Sequence, residues 1–364
     1  MRIAVVIGTR AQMVKMAPVM RAMQDIGIDY WFLHTGQHRE TFDDLRQDFG
    51  VKPPDAEAVS TTADVKTLFG FGSWSFRIAV ALLFSRRRIL PICHGVVLVH
   101  GDTASTVWGA LLGRMTGNAV VHVESGLRSF HLMHPFPEEL FRLVTFKLAT
   151  AYACPDSKAV ANLSSYKGEK LNMMGNTLYD SFLLAQGTRL TAEPLIQAEK
   201  FGLVSIHRFE TIYRRRRLKS LVDCIMTVAK RYMVLLVAHP PLIHRLSQTG
   251  LLQVLEQSSR IKIIPRMSYF PFVALLKQST FVITDGGSNQ EELAYLGKPT
   301  LILRKASERY EGLGKNALLG SISPSTVINF LNRLDCYRRK PLAYTHSPTQ
   351  RLIDWINRTY TVRR

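Results

Sequence analysis

The stretch IAVVIGTRAQMVKMAPVM, residues 3–20, decides the fold. Five apolar residues, Ile3 to Ile7, run into Gly8-Thr9-Arg10. Met13, Met16, Val19, Met20 and Met23 then recur at helical spacing. A short apolar run closed by a turn signal reads as a buried strand, and a period near 3.6 reads as a helix. Strand, glycine turn and helix in succession form the repeating unit of a parallel sheet.

The same unit recurs along the chain. Residues 29–34, 96–100 and 119–123 read as strands, with helices over about 104–116 and 138–149. After Gly175-Asn176-Thr177 the pattern restarts. Strands at 202–206, 232–238, 281–284 and 299–303 alternate there with helices at 218–231 and 289–296. The 364 residues suit two domains at roughly 150 residues each, expected over 1–175 and 176–348. Ligands of open α/β sheets bind beyond the carboxyl ends of the strands. Arg10, Asp102, Glu124, His207 and Asp285 all stand at such ends. The expected architecture is two doubly wound α/β domains facing across a cleft that holds the site.

Composition narrows the function. Hydrophobic residues make up 46% and charged residues 21%, which is globular rather than disordered. Against 28 acidic residues stand 47 lysines and arginines, a formal net charge of +19 that attracts anions. No base-reading motif accompanies that charge, so nucleic acid is not an expected partner. Cys93, Cys154, Cys224 and Cys336 form no CxxC pair. A zinc site is therefore not expected, and the thiols read as reduced, in a cytoplasmic protein. The apolar start is too short for a signal peptide, and no run reaches the ~18–20 residues of a membrane span.

Five clusters carry candidate chemistry. Gly8-Thr9-Arg10 lets the backbone approach an anion at a helix N-terminus. In His100-Gly101-Asp102-Thr103 the aspartate is either a general base or a helix cap. Glu124 and Glu138 lie 14 residues apart across a loop that Pro135 and Pro137 stiffen. Carboxylates gathered in one site have pKa values pushed apart, which divides acid from base. Glu138 or Glu139 is equally placed to pair with Arg142 on one helix face. His207-Arg208 suits a diphosphate that gains charge as it leaves. Gly286, Gly287 and Ser288 precede a helix and form an anion cradle, and Glu292 can accept ribose hydroxyls.

These segments together resemble the UDP-N-acetylglucosamine 2-epimerase family. The resemblance lies in GTRAQMVKMAPV (8–19), TGQHRETFDD (35–44), VHGDTAST (99–106), HVESGLRS (122–129), HPFPEELFR (134–142), GNTLYD (175–180), SIHRFET (205–211) and TDGGSNQEE (284–292). LGKPTLILR (296–304) and Glu308-Arg309 follow in the same order. The resemblance implies two Rossmann-like domains as in GT-B glycosyltransferases, with a C-terminal helix, about 349–364, packed back on the first. It implies inversion at C2 of UDP-GlcNAc to UDP-ManNAc, by elimination and re-addition of UDP, without metal or other cofactor. Acidic catalytic residues fall on Asp102, Glu124 and Glu138, and the catalytic histidine on His207. Diphosphate- and sugar-binding residues fall on Arg10 and Arg142, the ribose-binding glutamate on Glu292, and Lys15, Gln37 and His38 match further site positions. The chain departs at Ala11-Gln12, where the family usually has Pro-Glu, at Phe141 for Asn, and at Gly286-Gly287-Ser288 for Ser-Gly-Gly.

Two other enzyme readings share these residues. One is the hydrolysing relative, which releases ManNAc and UDP, and the other is a GT-B glycosyltransferase with a lipid-linked acceptor. A homodimer is the expected assembly. Residues 67–92 stand apart: Phe69, Phe71, Trp74, Phe76, Ile78, Val80, Leu82, Leu83 and Phe84 are apolar, with Arg77 and Arg86-Arg87-Arg88 the charges. A fully buried helix, a dimer interface and a peripheral membrane contact each account for that pattern.

Overall fold

A computed structural model describes residues 2–40, 42–61, 63–65, 67–132, 136–187, 200–304 and 309–361. His134, Pro135 and Glu308 of the motifs above lie outside the described residues. The chain divides into two units, Met1–Leu184 with Tyr344–Arg364, and Ala185–Ala343.

The first unit is a seven-stranded sheet of β1 (Ile3–Ile7), β2 (Tyr30–His34), β3 (Ala56–Glu57), β4 (Val96–His100), β5 (Ala119–Val123), β6 (Ala151–Cys154) and β7 (Glu169–Asn172). All its pairings are parallel, in the order β3-β2-β1-β4-β5-β6-β7. Every residue of β1 and β4 is buried, as expected when helices cover both faces of a sheet. The second unit repeats the design with β8 (Phe201–Ser205), β9 (Met233–Ala238), β10 (Ile261–Pro265), β11 (Phe281–Thr284), β12 (Thr300–Ile302) and β13 (Ala317–Leu319). Its order is β10-β9-β8-β11-β12-β13, again all parallel. Two doubly wound α/β units are the fold class that the alternation predicts. The strand order reverses between β1 and β4, and between β8 and β11. Those reversal points are where such sheets bind ligands.

Residues 176–184 are held by the first unit rather than the second. Ser181 Oγ donates to the Val14 carbonyl at 2.5 Å. Asp180 accepts from the Thr349 N–H at 2.8 Å, which secures the start of the terminal helix Pro348–Thr361. That helix buries Leu352, Ile353, Trp355 and Ile356.

Helix Leu68–Phe84 is capped by the Thr67 hydroxyl and buries Trp74, Ile78 and Leu82 against the sheet. Phe69, Phe76, Val80, Leu83 and Phe84 face outward and are exposed. A fully buried helix is therefore ruled out: only one face packs. Among the described residues, no helix is long and apolar enough to cross a membrane.

Candidate active site

The first reversal point is built by close backbone approach. A Cβ on Gly8 would lie 1.8 Å from Thr35 Oγ1 and 2.3 Å from Ser105 Oγ, so only glycine fits. Thr9 caps helix Arg10–Asp25 in a capping box with Gln12. Gln12 Oε1 accepts from the Gly8 N–H at 2.9 Å, and its Nε2 donates to the His100 carbonyl at 2.7 Å. A glutamate here would lack that second donor, so Gln12 ties β1 to the end of β4. Arg10 opens the helix. Gln37 Oε1 accepts from Ser105 Oγ at 2.6 Å, and the His38 N–H donates to the Gly8 carbonyl.

Glu124, just beyond β5, has φ of +60°. A non-glycine residue there is strained, and such strain concentrates at functional sites. Its carboxylate is buried and receives Lys15 Nζ at 2.7 and 2.9 Å. Asn176 Nδ2 adds a bond at 2.8 Å. His100 Nε2 lies 3.1 Å from Oε2 without hydrogen-bond alignment. Next to it, His122 bridges β4 and β5. It shares hydrogen bonds with the Gly101 carbonyl at 2.7 Å and Ser125 Oγ at 2.9 Å. Burial pulls its pKa down to about 4, so the ring is neutral.

Asp102 is not a helix cap. Thr103 caps the following helix, Ala104–Met115, in a box with Thr106. The Asp102 carboxylate instead accepts from Arg142 Nη2 at 2.5 Å. Arg142 also reaches the fully buried Glu139 at 3.1 Å, and Glu139 takes Arg128 Nε on its other oxygen. Burial pushes the Glu139 pKa up, but bonds from Arg128, the Ser129 N–H and Arg142 outweigh it and hold the carboxyl below its usual range. Glu139 is thus a helix partner of Arg142. Glu138 is half-buried and opens helix Glu138–Leu148.

In the second unit, Asp285 follows β11 and is fully buried. It accepts the backbone N–H groups of His207 at 3.0 Å and Arg208 at 3.1 Å, which fixes the turn after β8. The His207 side chain is 46% exposed, with Nδ1 3.5 Å from Asp285. Its inner edge packs on His239, with ring centroids 5.4 Å apart. Desolvation of that edge lowers the pKa. Asp285 opposes the shift, and Arg208, Arg266 and Arg304 add to it. A Cβ on Gly286 would lie 2.8 Å from His207 Cε1, so glycine admits the ring. Gly286 is the N-cap of helix Gly287–Leu296, which has no side-chain cap, and Ser288 lies in its first turn. Glu292 is buried and receives Asn289 Nδ2 at 3.0 Å. Burial and the charge of Glu292 raise the pKa of Tyr269 beside it.

A family model described as UDP-N-acetylglucosamine 2-epimerase matches residues 21–335. The chain belongs to the UDP-N-acetylglucosamine 2-epimerase family. It is 29% identical over 347 residues to the UDP-N-acetylglucosamine 2-epimerase of Methanococcus maripaludis, covering 92% of this chain and 91% of that one. The Neisseria meningitidis UDP-GlcNAc 2-epimerase, solved with UDP-GlcNAc, matches with a TM-score of 0.83 at 26% identity, covering 99% and 100%. The Methanocaldococcus jannaschii epimerase, solved with UDP-GlcNAc and UDP, gives 0.80 at 25%, covering 98% and 100%.

Within this epimerase fold the first unit places Arg10, Lys15, Gln37, His38, Asp102, Glu124 and Arg142 around the ends of β1, β4 and β5, and Glu138 one turn before Arg142 on its helix. The second gathers His207, Arg208, Gly286, Gly287, Ser288 and Glu292 around β8 and β11. The sequence reading did not assign Asn176, Glu139 or Gln12 to the site. Asn176 is 52 residues from Glu124, so no local spacing announces the pair. Glu139 was legible only as one of two equivalent helix partners.

Proposed function

We propose that this enzyme interconverts UDP-GlcNAc, or a close derivative, with UDP-ManNAc without releasing free sugar. The observation that carries the reading is the pair of cation-held carboxylates at the first reversal point: Glu124 on Lys15, and Asp102 on Arg142. The solved relatives' bound UDP-GlcNAc supports the substrate class.

The chemistry follows from the substrate. The C2 hydrogen of UDP-GlcNAc is not next to a carbonyl, so direct deprotonation gives an unstabilised carbanion. Elimination avoids it: the C1–O bond breaks, UDP leaves with the electron pair, and C2 gives its proton to a carboxylate. The product is 2-acetamidoglucal. Re-addition of UDP with protonation on the opposite face inverts C2. In this reading Asp102, Glu124 and Glu138 move the C2 proton. His207, Arg208, Arg10 and Arg142 offset the charge that grows on UDP. The amides of Gly287 and Ser288 suit a diphosphate, and Glu292 suits the ribose.

Anion-exchange separation of products tests this. UDP-GlcNAc should yield an equilibrium mixture with UDP-ManNAc. Free ManNAc with stoichiometric UDP would move the enzyme to the hydrolysing reaction. Sugar transfer that depends on an added lipid-linked acceptor would move it to a glycosyltransferase.

A further inference from the structure

One face of helix Leu68–Phe84 takes no part in the chemistry above. Phe69, Phe76, Val80, Leu83 and Phe84 are 88%, 70%, 39%, 59% and 84% exposed. Helical spacing places them in one outward row, opposite the buried Trp74, Ile78 and Leu82. A surface helix ordinarily turns polar groups outward, and a contiguous exposed apolar row marks an interaction surface.

Charge identifies the partner. From Val65 to Gly101 the chain has no Asp or Glu, yet it carries Lys66, Arg77, Arg86, Arg87 and Arg88. Arg77, Arg87 and Arg88 are exposed. Arg86 Nη1 donates to the Leu83 carbonyl at 3.1 Å, closing the helix. The short helix Arg86–Ile89 then follows, held by buried Ile89 and Leu90. The arginine turn is thereby fixed directly beyond the apolar row. A second copy of this chain would bring the same arginines to this face, with no carboxylate in 65–101 to answer them. A bilayer bearing anionic headgroups answers both features. Phenylalanines enter the headgroup boundary while arginines meet phosphate, and the net charge of +19 adds long-range attraction. With its inner face packed on its own sheet, the helix lies in the membrane plane rather than across it.

We infer that the outer face of residues 69–88 docks this enzyme on an anionic phospholipid surface. Flotation of the full-length enzyme with vesicles tests it. The enzyme should float with vesicles containing phosphatidylglycerol, should stay behind with phosphatidylcholine alone, and should be released by high salt. Arg87→Ala with Arg88→Ala should lower partitioning about 30-fold, about fivefold per arginine. Phe76→Ser with Phe84→Ser should abolish flotation at unchanged charge while leaving UDP-GlcNAc turnover intact. Equal recovery from both vesicle types would overturn the inference. So would a phenylalanine variant that floats like the parent, or one that splits a dimer without changing flotation.

Discussion

Replacing Lys15 by methionine removes the ammonium that lies 2.7 and 2.9 Å from the two oxygens of Glu124. Both side chains are nearly closed to solvent, at 6% and 5% exposure. Removing one member of a buried pair leaves a charge without its counter-ion, at a cost of about 3–5 kcal/mol. Asn176 still donates to Glu124, so the lower end, about 3 kcal/mol, is expected. Glu124→Gln strands the lysine instead and should cost a similar amount. The double variant leaves neither charge of this pair stranded, so its loss should fall short of the sum by at least ~2 kcal/mol. Urea unfolding measures the cycle. Trp31, Trp74, Trp108 and Trp355 all belong to the first unit, so tryptophan fluorescence reports that unit alone. Additivity within ~0.5 kcal/mol would refute the direct coupling of Lys15 and Glu124.

Other consequences follow from the same geometry. Asp102→Asn, Glu124→Gln, Glu138→Gln and His207→Ala should each lower kcat by about 100-fold or more in steady-state assays, whereas Glu292→Ala should chiefly raise KM. Two parent-like rates among the first four would contradict the assigned roles. Burial lowers the pKa of His34 and His122 from 6.5 to about 4. Above pH 6.5 both rings are neutral folded or unfolded. As pH falls toward 4 the unfolded chain takes up protons that the native state refuses, and about 1.4 kcal/mol is lost per pH unit per ring. Unfolding midpoints that stay level from pH 6.5 to pH 4.5 would contradict this. Gly8→Ala places a methyl group 1.8 Å from Thr35 Oγ1 and should cost ~2 kcal/mol or more, read as a lower Tm.

Much of the fold was legible because the central strands are apolar runs closed by a glycine or a charged residue. β4, β5 and β11 fall where the pattern places them, and β1 with its helix follows directly from residues 3–20. The outer strands were not legible. β3 has two residues, β6 reads AYAC with two small alanines, and β7 reads EKLN and is half exposed. The edge strands β3 and β7 carry little hydrophobic signal, and β6, though buried between β5 and β7, is four residues long with small side chains. At the candidate site, strand-end position singled out Asp102 and Glu124 but not what holds them. Asp102 competed with Thr103 for the helix cap, and only the Thr103–Thr106 box shows which residue won. Lys15 and Glu124 are 109 residues apart, and their pairing depends on the placement of β5 beside β4, next to β1. The helix at 68–84 looked apolar all round because its outward row carries the residue types of a core.

The most direct test of the proposed reaction is NMR of UDP-GlcNAc incubated with the enzyme in deuterated water. Elimination and re-addition must exchange the C2 proton with solvent. Deuterium should therefore appear at C2 of both UDP-GlcNAc and UDP-ManNAc as the two approach equilibrium. Retention of protium at C2 in all UDP-sugar products would contradict the account.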